Sequence, residues 1–234
     1  MLALTTIHNL DSRSMDFILA FPQAELDVDV YMELPYGFSN SSKNPVILKL
    51  KKNLYGLKQA AYNWHDMLKK GIEARGFKPS AIDPYVYLRK GCILLVYVDD
   101  CIIISKKNTR VAADLMKSLM GFKLEDEGDL NKFLGVDVHR ELDGTTNLKQ
   151  EHLIQRFLKL VEITEEEHPK DSPALKQILS KDSSGPERMY TWNYRQAIGI
   201  LTYMQSTTRP DIAYVAHQCA RFCNDPKLCH EWAV

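Results

Sequence analysis

The fold of this chain turns on Cys92–Ser105, "CILLVYVDDCIIIS". Two apolar runs, rich in β-branched residues, flank the adjacent aspartates Asp99 and Asp100. The pattern predicts a β-hairpin with both aspartates at its tip. Hairpin tips favour Asn-Gly or Asp-Gly, which accept positive φ cheaply, so Asp-Asp is a poor turn. Two carboxylates held a few Å apart also repel. A divalent cation relieves both problems, since Mg²⁺ takes hard oxygen ligands at about 2.0–2.1 Å. The plain alternative is a solvated Asp-Asp turn, and spacing alone does not separate the two.

Phosphoryl transfer by two ions about 3.5–4 Å apart uses a further carboxylate. Asp16 is the natural candidate. It is a lone charge in "MDFILAF" (15–21), which reads as a buried strand stopped by Pro22. If that strand lies beside the hairpin, Asp16, Asp99 and Asp100 cluster. If not, Asp16 is only a charge at a strand end.

Outward from the hairpin, the first nine residues read as a turn or two of helix. "VDVYMELP" (28–35) and "VILKLKK" (46–52) read as strands, with "SNSSKNP" (39–45) a polar turn between them. Leu57, Ala61, Trp64, Leu68 and Ile72 recur at helical steps and predict one buried helix face, capped by Gly76. "PYVYLRKG" (84–91) predicts a strand and turn, and "VAADLMKSLM" (111–120) a helix. "NKFLGVDVHREL" (131–142) predicts one strand, and "NLKQEHLIQRFLKLVEI" (147–163) a strand edge running into a helix. The proline-bearing stretch 169–186 reads as a long connection. Helices follow at about 192–205 and 210–222, the second with Ile212, Val215, Cys219 and Phe222 on one face, and a last one begins near Pro226.

With 45% hydrophobic and 26% charged residues, the composition is that of an ordinary globular protein. No apolar run approaches the roughly 20 residues of a membrane span. Five cysteines, odd in number and irregular in spacing, read as reduced thiols of an intracellular protein. The spacing of Cys219, Cys223, Cys229 and His230 is not that of a zinc site. The net charge is zero, but Lys43–Lys78 holds nine Lys/Arg against two acidic residues. Such a segment is either a polyanion-binding face or a solvated helix and loop.

"YVDD" (97–100) between two apolar strands resembles the catalytic motif of reverse transcriptases. The neighbouring blocks are more specific. "MDFILAFPQAELDVDVYMELPYGF" (15–38), "LKKNLYGLKQAAYNWHDML" (50–68), "FLG" (133–135) and "YRQAIGILTYMQSTTRPDIAYV" (194–215) resemble, in order and spacing, the polymerases of copia-type LTR retrotransposons.

That resemblance implies an α+β right-hand palm, an antiparallel sheet with helices packed on one face. The palm is expected over 1–140 with partial fingers, followed by a thumb-like segment and linker (141–190) and the start of a connection (191–234). The implied activity is RNA-directed DNA synthesis with Mg²⁺, Mn²⁺ substituting, on an RNA or DNA template with primer and dNTPs. Asp16, Asp99 and Asp100 would be the metal-binding catalytic residues. Phe21 would reject a 2′-hydroxyl, Lys58, Gln59 and Tyr97 would approach the incoming nucleotide and template, and Phe133, Leu134 and Gly135 would grip the primer end. The implied setting is a cytoplasmic virus-like particle or the nucleus. The short stretch before Asp16 reads as a truncated fingers region, and the chain end as a severed helix before an absent ribonuclease H domain, so the catalytic residues are expected to be intact but the isolated chain inactive or nearly so. The competing expectations are an inactive remnant that keeps the fold and binds nucleic acid weakly, and, more remotely, a metal-dependent phosphodiesterase.

Overall fold

The computed structural model describes residues 1–38, 46–119, 121–163, 178–182 and 184–234. The polar turn 39–45 and most of the connection 169–186 lie outside them. The chain divides into two compact units, Met1–Phe133 and Leu134–Val234.

The first unit contains α1 (Leu2–Ile7), β1 (Leu10–Phe17), α2 (Ala20–Gln23), β2 (Tyr31–Glu33), β3 (Ile47–Lys49) and α3 (Ala60–Glu73). It continues with β4 (Lys78–Pro79), β5 (Val86–Arg89), β6 (Cys92–Tyr97), β7 (Asp100–Lys106), α4 (Val111–Ser118), β8 (Leu124–Asp129) and β9 (Lys132–Phe133). Six strands form one sheet in the order β4-β5-β6-β7-β1-β8, and each adjacent pair is antiparallel. β2 and β3 form a separate antiparallel pair.

Strand β7 explains the unbroken "CIII" run. Cys101 and Ile103 join the core beneath α3 and α4, while Ile102 and Ile104 pack with Leu130, Leu2, Leu10 and Phe133 on the opposite face. A strand covered on both faces has no polar alternation to show. In α3 the buried residues are Ala60, Trp64, Leu68 and Ile72. The helix starts at Ala60 rather than Leu57, and Ala61 is exposed. Gly76, at φ +80°, follows the helix end as its turn requires.

Two strands depart from expectation. The segment "MDFILAF" is not one strand: β1 runs upstream to Leu10 and stops at Phe17, Leu19 is left-handed (φ +52°), and Phe21 lies on α2. Residues 11–14 are polar, so periodicity did not mark them. Their buried Ser12 and Ser14 sit in a central strand by pairing, not by hydrophobicity. The acidic β8, "LEDEGD", was likewise invisible to apolar patterning. It is one of the sheet's two edge strands, where exposed charge discourages further pairing.

The second unit contains β10 (Val136–Arg140), β11 (Thr146–Lys149), α5 (Glu151–Leu160), α6 (Tyr194–Thr207), a 3₁₀ turn (Pro210–Ile212), α7 (Ala213–Ala220) and α8 (Leu228–Glu231). β10 and β11 are antiparallel, with Asp137 opposite Lys149. The expected continuous strand 131–142 is broken at Leu134–Gly135, where both residues have positive φ. The expected helix 210–222 begins as the 3₁₀ turn and ends at Ala220. Its core joins Phe157 to Trp192, Tyr194, Ile198, Leu201, Met204 and Cys219. Asn193 caps α6 by accepting the Gln196 N–H at 3.0 Å. Glu231, buried, accepts from Arg188 Nε at 2.8 Å and from the Met189 N–H at 2.7 Å. Among the described residues no helix is long and apolar enough to cross a membrane.

Candidate active site

Asp16 is the penultimate residue of β1 and pairs with Asp100, the first residue of β7. Directly opposed residues in an antiparallel pair share a face. Asp100 also pairs with Tyr97 across β6–β7. The hairpin turn is therefore Val98-Asp99, not Asp99-Asp100. Val98 carries the positive φ (+58°), and Asp99 does not. That is the pattern of a II′ turn, which prefers glycine at its first central residue. A β-branched residue there is strained and persists only where its surroundings hold it.

Three hydrogen bonds hold it. The Trp64 indole Nε1 donates to the Val98 carbonyl at 2.8 Å. The Phe17 N–H donates to the Asp99 carbonyl at 2.9 Å, tying the turn to the end of β1. The Tyr55 hydroxyl donates to Asp99 Oδ2 at 3.1 Å. Trp64 in turn packs edge-on against Phe17 and Phe122. Its place on the helix face made it a core residue by spacing. Its indole N–H, the group that reaches the turn, carries no sequence signal. Tyr55 stands within the block 50–68, and nothing in its spacing marks its hydroxyl as a partner of Asp99.

The carboxylates repel one another. Burial raises the Asp16 pKa above its ordinary value, helped by Asp99 and Asp100 and then by Glu127 and Glu125 of β8. Asp100 is raised by burial, then by Asp99 and Glu127. Tyr55 is raised by burial and by its bond to Asp99. Among the described residues no three Asp, Glu, His or Cys side chains converge closely enough to hold a metal ion. The donor set suits a hard divalent cation in its chemistry, though not in its spacing. It is all oxygen, sits at one end of a sheet, and is destabilised by the like charge that a cation would neutralise.

The other expected residues lie at differing distances from this centre. Tyr97 is 56% exposed at the hairpin end. Phe21, half-buried on α2, packs against Tyr55 with ring centroids 4.5 Å apart, so Tyr55 links it to Asp99. Lys58 and Gln59 directly precede α3, Lys58 exposed. Among the described residues no hydrogen bond or ion pair joins them to the aspartates. Phe133 ends the first unit, and Leu134 and Gly135 open the second. Asn53, wholly buried, donates from Nδ2 to the Ala24 and Glu25 carbonyls at 3.2 and 2.8 Å. It anchors the stretch before Tyr55 against the end of α2, a support that the sequence did not announce.

The site is thus the end of an antiparallel sheet packed with helices, where Asp16 stands opposite Asp100 beside a strained hairpin turn. Residues 1–176 match the family described as reverse transcriptase (RNA-dependent DNA polymerase). The chain belongs to that family. It is 31% identical over its full length to the retrovirus-related Pol polyprotein from transposon TNT 1-94 of Nicotiana tabacum, covering 18% of that protein. It is 31% identical over 95% of its length to the Pol polyprotein from transposon RE1 of Arabidopsis thaliana, covering 15% of that protein. Similar proteins of the copia type thus come from plant transposons, and a transposon Ty5-1 protein of Saccharomyces cerevisiae matches 92% of the chain at 27% identity. The chain spans less than a fifth of the two plant polyproteins.

Proposed function

We propose that this chain is the polymerase palm of a copia-type Pol protein and catalyses RNA-directed DNA synthesis. The supporting observation is the β1–β7 register, which sets Asp16 opposite Asp100 while the Phe17 N–H holds the Asp99 backbone. Reverse transcriptases use divalent metal ions, and here Asp16, Asp99 and Asp100 would hold them. When bound, such ions activate the primer 3′-hydroxyl and stabilise charge on the leaving oxygens. The chain's residues do the positioning. β1 and β7 fix two carboxylates on a rigid sheet. Trp64 and Tyr55 fix the turn that carries the third. Phe21, backed by Tyr55, offers an aromatic wall for the sugar edge and would favour dNTP over rNTP. Lys58 and Gln59, ahead of α3, and Tyr97, at the hairpin end, would meet nucleotide and template. Phe133, Leu134 and Gly135 would contact the primer.

The test is primer extension on an RNA template with Mg²⁺ or Mn²⁺, comparing the chain, alone and within its complete Pol protein, with Asp99→Asn. Extension that vanishes in Asp99→Asn supports the proposal. Extension unaltered by that change, or absent from the complete protein, overturns it. Salt-sensitive binding of the hybrid without extension would instead favour a non-catalytic binding protein.

A further inference from the structure

Two sequence blocks, Phe133–Gly135 and Tyr194–Val215, stand far apart in the chain, yet part of each meets within the second unit. Leu134 and Gly135 are consecutive left-handed residues, at φ +48° and +75°. Glycine enters that region freely and leucine does not. Leu134 is 39% exposed, so burial does not hold it there.

Hydrogen bonds from α6 and from Gln150 do. The Tyr203 hydroxyl donates to the Leu134 carbonyl. Gln150, 2% exposed, donates from Nε2 to the Gly135 carbonyl at 3.4 Å. A carbonyl can only accept, which orients the amide and turns its oxygen toward the end of α6. There Oε1 lies 2.6 Å from the Thr207 hydroxyl and 2.7 Å from that of Thr208. Both carbonyls of the strained turn are thus tied to one polar network. The inner face of α6 is core, with Ile198, Leu201 and Met204 buried. Tyr203 and Thr208 are outside that face and serve the turn.

We infer that Tyr203, Gln150 and Thr208 are positioning residues for the primer end. They hold the Leu134–Gly135 turn so that it presents the Leu134 side chain to the terminal primer nucleotide. The inference rests on the proposed primer contact of that turn and extends it to residues in another sequence block.

The experiment titrates the 234-residue chain against two fluorescein-labelled RNA–DNA hybrids, one with a recessed DNA 3′ end and one whose ends are closed by hairpin loops, at fixed salt. Anisotropy gives both affinities and thermal melting checks the fold. Tyr203→Phe and Thr208→Val conserve shape and remove one hydroxyl each. Each is expected to weaken recessed-end binding by about three- to tenfold, leaving binding of the closed hybrid unchanged and lowering Tm by no more than about 2–4 °C. Wild-type affinity for both hybrids overturns the inference, as does an equal loss on both, which marks a merely structural role. Leu134→Ala separates the two levels. If it weakens recessed-end binding while the hydroxyl variants do not, the positioning role fails and the primer contact stands. If it leaves recessed-end binding unchanged, the primer contact fails and the inference with it.

Discussion

Asp99 has a protein donor in the Tyr55 hydroxyl, whereas Asp16 and Asp100 meet mainly burial and like charge. That difference sets expectations for single substitutions. Asp16→Asn and Asp100→Asn remove repulsion and should raise Tm at neutral pH by about 2–4 °C, near 1 kcal/mol in a chain this size, with solvent screening keeping the gain small. The sign follows from the raised carboxyl pKa values. Protonated carboxyls fold without penalty below the ordinary carboxylate range, and that stability is lost as pH rises through the raised values. The mutant advantage should therefore close on acidification, as a series of melting curves across pH would reveal. The same variants should lose extension by at least about a hundredfold, the scale of a lost electrostatic contact to the reacting centre. Tyr55→Phe keeps the ring against Phe21 and frees Asp99. A drop in extension rate of about two- to tenfold is expected, from one hydrogen bond, and single-turnover kinetics would measure it.

At the scale of elements, the hairpin turn and α3 depend on one another. Trp64→Phe deletes the bond to Val98 and part of the packing on Phe17 and Phe122, and should cost about 1–3 kcal/mol in urea unfolding. Gly71 shows how closely α3 is packed. A Cβ built there meets the Phe122 ring at 2.6 Å, so Gly71→Ala should destabilise by about 1–3 kcal/mol despite its better helix propensity. A neutral or stabilising result would mean that Phe122 swings aside. These elements were unequally legible. α3, α4, β6 and β7 announced themselves through apolar spacing. β1 and β8 did not, because Ser12, Ser14 and the acidic run 125–127 belong to the sheet through backbone pairing and not through burial of apolar side chains. The break at Leu134–Gly135 was hidden because it is held by residues at 150, 203 and 207–208.

At the scale of the whole molecule, each unit has its own core, one around Trp64, Leu68 and Leu94 and one around Tyr194, Ile198 and Met204. The charge asymmetry is milder than the sequence count implies. Lys49, Lys52 and Lys70, three of the nine cations in 43–78, already face Asp29, Glu25 and Asp66 within 4 Å. Binding to an RNA–DNA hybrid should still weaken with salt. About three released counterions would lower affinity roughly fortyfold between 50 and 200 mM, and a flat response in the same anisotropy assay would exclude a phosphate-binding face. What the amino-acid sequence determined alone is the set of ordered blocks, the apolar hairpin with its aspartates, and the helix faces, because each is a local pattern of side chains read along a few turns or one strand pair. What the tertiary structure decided is which residues meet: Asp16 with Asp100 through strand register, Val98 in its strained turn through Trp64, Asp99 through Tyr55, and Leu134–Gly135 through Gln150 and Tyr203. Pairing register and hydrogen bonds between distant residues depend on how the elements pack, and no short stretch of chain encodes that.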